Sequence, residues 1–212
     1  MLGIDDFEVT SVVSTVDFEL KLSLMDQRFS IIEAFILDFP QYRFIELPPI
    51  LNLRSVEGER AIAISVNRWE YTSRAFETIE DFASETETYL SSFGKITEIN
   101  AFSKIGLRIN YSYLLRDIEC VPPEFPYLKA FLDIPGADDK RISDLIHYNV
   151  SVQREGKRRI FTIGQVREGE TYFLRPTIEA LEFGDISLNL VKEKLMNFYQ
   201  LLQEDFEKFF RG

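Results

Sequence analysis

Val191, Leu195, Phe198, Leu202, Phe206 and Phe209 recur at intervals of three or four residues, so the last part of this chain carries one continuous apolar face at helical period. The helix it predicts starts near Ser187 and runs almost to the end. Such a face must be covered by something. A sheet built from the rest of the chain is the natural cover. Where cover is incomplete, the same face serves as a dimer or partner surface.

The remaining segments supply that sheet. Phe7 to Leu24 reads as one long strand or two consecutive ones, with Phe18, Leu20 and Leu22 alternating with Asp17, Glu19 and Lys21. Asp26 is the expected N-cap of a helix carrying Phe29, Ile32, Phe35, Ile36 and Phe39, and Pro40 stops it. Tyr42 to Leu53 reads as a strand interrupted by Pro48-Pro49, and Arg60 to Thr72 as its return after the turn Glu57-Gly58-Glu59. A second helix covers about Glu77 to Ser92, with Gly94 closing it. Ile96 to Leu115 is the next strand. The expected class is therefore α+β, with a ferredoxin-like β-α-β-β-α-β order in the first half.

Arg116 to Asp139 is the least regular stretch, with Pro122-Pro123, Pro126 and Pro135-Gly136. Lys140 to Tyr148 reads as a short helix. Asn149–Gln153, Arg159–Val166 and Thr171–Pro176, separated by Glu155-Gly156 and Glu168-Gly169, read as an antiparallel meander before the long C-terminal helix. No linker stands out, so residues 1–212 are expected to form one domain; the alternative division is 1–116 and 117–212.

With 212 residues the chain can bury a sizeable core without staples. Its formal charge of −11 opposes phosphate backbones and anionic lipid unless a basic patch is segregated. Nucleic acid is thus not the expected partner. No apolar run approaches membrane-spanning length, and the first residues show no signal-peptide pattern. The expectation is a cytoplasmic protein without a membrane partner. Cys120 is the single cysteine and His147 the single histidine, which leaves little material for metal clusters. Neither phosphate-binding glycine loop is present, nor a nucleophile elbow. No catalytic residue, metal ligand set or cofactor is assigned.

Four features invite a functional reading. Asp17, Glu19 and Lys21 have the acid–acid–lysine pattern of metal-dependent nucleases; period two equally places all three on the wet face of a strand. Arg154, Lys157, Arg158 and Arg159 cluster at a hairpin tip, where they could hold a phosphate or an acidic partner, or be a solvated turn. Trp69 and Tyr71 share one face of a strand, fit to stack a ring or, more commonly, to pack. The C-terminal helix is the fourth.

The segment Phe102-Ser-Lys-Ile-Gly-Leu-Arg-Ile-Asn110 resembles the R-[IV]-G-L-R-Y-[IV]-N strand of a sporadically distributed prokaryotic family of uncharacterised proteins. Val16-Asp17-Phe18-Glu19, Pro48-Pro49, Trp69-Glu70-Tyr71 and the closing helix follow the family's order, so the resemblance spans nearly the whole chain. The family's tyrosine after the arginine is absent, and Asn110 comes one position early. Gly106 and Arg108 are the positions that carry over. The resemblance implies a fold and a horizontally moving distribution of the kind seen for defence or mobile-element genes; it implies no known activity. An arginine in a central strand needs an acidic partner or a ligand.

These readings favour a non-enzymatic binding protein that engages a protein partner or itself through the sheet face or the C-terminal helix, within a prokaryotic defence or toxin–antitoxin-like system. The alternatives are a metal-dependent nuclease or nucleotide-acting enzyme, and a binder of a small anion at Arg108.

Overall fold

Strand-period segments pair into a single antiparallel sheet, and helical-period segments cover one side of it. The computed structural model describes residues 7–115, 147–154, 156–168 and 171–211. Its strands are β1 (Glu8–Asp17), β2 (Gln41–Ile45), β3 (Ile50–Arg54), β4 (Arg60–Ser65), β5 (Arg68–Ser73), β6 (Ala101–Leu115), β7 (His147–Arg154), β8 (Lys157–Glu168) and β9 (Thr171–Ser187). Their order across the sheet is β2-β3-β4-β5-β1-β6-β9-β8-β7. The helices are α1 (Arg28–Phe35), α2 (Ile79–Thr97) and α3 (Val191–Arg211). The proline-rich stretch from 116 and most of the short helix expected at 140–148 lie outside the described residues; 147 and 148 are strand.

The first half departs from the expected order. Two predicted strands are each a hairpin: Pro48-Pro49 lies in the turn between β2 and β3, and Val66-Asn67 separates β4 from β5. Four strands therefore stand between α1 and α2. The meander holds, but β9 continues to Ser187, well past Pro176. It pairs with β6 along most of its length, so one sheet joins the two halves of the chain.

α1 forms where expected but turns a different face inward. Ile31 and Phe35 are buried, followed by Phe39 just beyond the helix, while Phe29 is 63% exposed. Asp26 lies in a preceding 3-10 turn and does not cap it; the N-cap is Gln27, with no side-chain hydrogen bond. In α2 the Thr78 hydroxyl accepts from the Asp81 amide at 3.1 Å, a side-chain N-cap. Gly94 does not end this helix. It is buried in the last turns, where a Cβ would sit 2.6 Å from Asn100 Oδ1 and 3.0 Å from the Ile99 carbonyl oxygen. Glu98, at φ 62°, makes the left-handed stop.

The core fills the space between sheet and helices. Val12 and Val16 of β1, Trp69 and Tyr71 of β5, and Ile105, Leu107 and Ile109 of β6 are fully buried there. α3 closes it with Val191, Leu195, Phe198, Leu202 and Phe206. Its apolar face is thus docked, as the stripe requires. A buried polar pair crosses this layer: Thr86 Oγ1 donates to the Phe82 carbonyl at 2.8 Å, which leaves Ser14 Oγ to donate to Thr86 Oγ1 at 3.3 Å.

Candidate functional site

Residues alternate across a strand, so everything between the core positions faces the side that carries none of the described helices, the open face of the sheet. At paired positions with described side chains, that open face carries Arg43, Arg54, Arg68, Lys104, Arg108, Arg158 and Arg175 against Glu8, Asp17, Glu70 and Glu179. Cations are in excess here, in a chain whose net charge is −11. The helix layer is acidic: α2 carries Glu80, Asp81, Glu85 and Glu87 against Lys95.

Arg108 stands near the middle of this face. Its register neighbours are Val13 on β1 and Glu179 on β9. The side chain is half-buried, and its Nε is buried with no hydrogen-bond partner. No ion pair to Glu179 forms within 4 Å. An arginine this deep without a carboxylate leaves donors unused in a partly dry setting.

The next row along the strands is polar. Asn110 Nδ2 donates to Ser11 Oγ at 2.8 Å, and Thr177 Oγ1 donates to Asn110 Oδ1 at 3.0 Å. Thr10 Oγ1 donates to the Asn110 carbonyl at 3.1 Å, beside the bulge that shifts β1 between Val9 and Ser11. These residues, with Arg74 and Arg175, line a cavity of about 460 Å³. Among the described residues its lining contains no carboxylate. A larger groove of about 660 Å³ on the helix side is the reverse, with Asp38, Glu59, Glu77, Asp81 and Glu85 around Arg60.

The nuclease-like triplet is not a unit. β1 ends at Asp17, and Glu19 is exposed beyond it. Lys21 turns away and donates to the Thr97 carbonyl. Asp17 is held by Arg68 Nε at 2.7 Å and Lys104 Nζ at 2.5 Å. Burial alone would raise its pKa, but the bonds and charges of Arg68 and Lys104 outweigh burial and keep the carboxyl below its usual value. Among the described residues no three metal-binding side chains converge.

Trp69 and Tyr71 do share a face, but it is the core face, and both rings are fully buried. They offer no surface for stacking a ligand. Tyr71 stacks on Phe82 at 5.3 Å, and its hydroxyl donates to Glu85 Oε2 at 2.5 Å. Burial first, and then this bond, push its ionisation far upward. Arg60 completes the group, 3.2 Å from Glu85 Oε1 and 3.4 Å from the Tyr89 hydroxyl. Tyr89 is pushed up to about 12, mainly by burial.

The basic hairpin also divides by strand alternation. Arg159 points to the helix layer and pairs with Asp205 of α3 at 2.6 Å. Arg158 lies on the open face and donates to Ser151 Oγ at 2.8 Å. Lys157 is exposed, and Arg154 is its register partner. Lys157, Arg158 and Arg159 form no joint site.

Arg108 was singled out in the sequence, and the residues that surround it were not. Thr10-Ser11 is a polar dip in an apolar strand, a signal that was available. Thr177 was hidden because the strand reads as ending at Pro176; Arg175 lay inside the predicted strand with nothing to set it apart. No protein-family model matches the chain, and no curated protein matches it.

Proposed function

We propose that this chain is a non-enzymatic binding protein that holds an anionic ligand on the open face of its sheet. One observation carries the reading: Arg108 is half-buried near the middle of that face, with a buried Nε that has no hydrogen-bond partner among the described residues. The excess of cations around it supports the same ligand sign, as does the carboxylate-free cavity in the next row. The docked face of α3 leaves the sheet as the better of the two partner surfaces expected from the sequence. The strand set β4-β5-β1-β6, antiparallel and covered on one side, is read as the ferredoxin-like part, with the β2–β3 hairpin inserted into it.

The test is retention on a heparin matrix at low ionic strength. A protein of net charge −11 passes through unless its cations are segregated. Retention that falls with added salt, and weakens in Arg108→Gln, is the expected result. Flow-through of the folded wild type, or retention unaffected by Arg108→Gln, would overturn the assignment.

A further inference from the structure

We infer that the cavity beside Arg108 is a subsite for a phosphate monoester, with Ser11, Asn110 and Thr177 as its floor and Arg74 and Arg175 at its sides. This rests on the open-face reading above and names the ligand chemistry.

The hydrogen inventory of the floor comes first. The Asn110 amide brings two hydrogens, and the Ser11 and Thr177 hydroxyls bring one each. The bonds Asn110–Ser11 and Thr177–Asn110 consume one amide and one hydroxyl hydrogen. The remaining amide N–H and the remaining O–H have no protein partner among the described residues. This count survives a flip of the Asn110 amide. Turned over, the amide would donate to Thr177 and accept from Ser11, and again one N–H and one O–H would be left. The floor therefore offers two neutral donors whichever way the amide lies.

The walls supply charge. Arg74 follows β5 and Arg175 lies on β9, so the two guanidinium groups approach from strands on opposite sides of β1 and β6. Arg175 also lies over the Phe173 ring, 5.9 Å from its centroid, which orients its stem. The described lining residues include two cations and no carboxylate, in a chain with 35 acidic and 24 basic residues. A carboxylate ligand brings one charge in a plane. A phosphate monoester brings close to two, on three oxygens that accept from several directions. Donors arriving from two sides and from below suit the second shape. The volume of about 460 Å³ leaves room for the group the phosphate is attached to.

The experiment is calorimetric titration of the full chain with inorganic phosphate and with adenosine monophosphate, for the wild type, Arg74→Gln and Asn110→Asp. Arg74 is exposed, so its replacement leaves the core intact, and an unchanged melting curve checks this. The expected result is binding of both probes, weaker by about tenfold or more in Arg74→Gln, and abolished by the carboxylate of Asn110→Asp. Binding of adenosine monophosphate alone, equally well by all three proteins, would place the contact on the base and overturn the subsite. So would the absence of phosphate binding in a wild type that heparin still retains through Arg108. That last pattern removes the subsite while leaving the open-face reading in place; loss of both signals removes both.

Discussion

Asp17 shows how the open face is held together residue by residue. Its carboxylate meets Arg68 and Lys104 across two strand pairs, β1–β5 and β1–β6. The fold lowers its pKa, so the charged form stabilises the native state above the ordinary value of 3.8, and that stabilisation is lost as pH falls through the lowered one. The Arg68 side chain is 49% exposed, so solvent screening keeps the contribution to about 1 kcal/mol or less. Asp17→Asn is expected to lower the unfolding free energy measured in urea at neutral pH by that amount, with the gap to wild type closing on acidification below the aspartate range. A gap that stays constant across that range would show that the ion pairs do not stabilise the fold. Arg108 is the contrasting case, a cation two rows further along the same face with no such partner among the described residues. Its place on a strand was legible in the sequence. That it would be unpaired was not, because register decides which side chains meet across a sheet.

At the scale of elements, periodicity was a good guide to type and a poorer one to facing and length. The α1 segment is apolar at so many positions that two faces satisfy helical period; packing against Tyr89 selected Phe35 and Phe39. The prolines at 48 and 49 were visible, but a hairpin turn and a bent strand share that signal. Gly94 read as a helix stop and is instead a site of close approach to the Ile99 backbone. α3 was the clearest element, since its stripe admits one face only. Phe206 lies on that face, 4.7 Å from the Tyr111 ring and 5.1 Å from Phe7. Phe206→Ala is expected to cost about 3–5 kcal/mol, against less than about 0.5 kcal/mol for Leu201→Ala on the exposed side. Urea unfolding of the two variants measures the difference. Equal costs would mean that α3 is not docked as described.

For the molecule as described, the governing fact is a nine-stranded sheet whose described helices all lie on one side. The helix side takes up the long aromatic side chains and much of the acidic charge. The other side collects polar residues and an excess of cations. The net charge of −11 gives no sign of this division. Among the described residues no helix is long and apolar enough to cross a membrane. What the open face binds is decided most directly by locating a bound anion on the folded chain. Titration of isotopically labelled protein with a heparin-derived disaccharide, followed through backbone amide shifts, does this. The account predicts shifts centred on Val13, Arg108, Asn110 and Thr177, with α2 and its acidic groove unmoved. Shifts confined to the helix layer, or none anywhere, would contradict it.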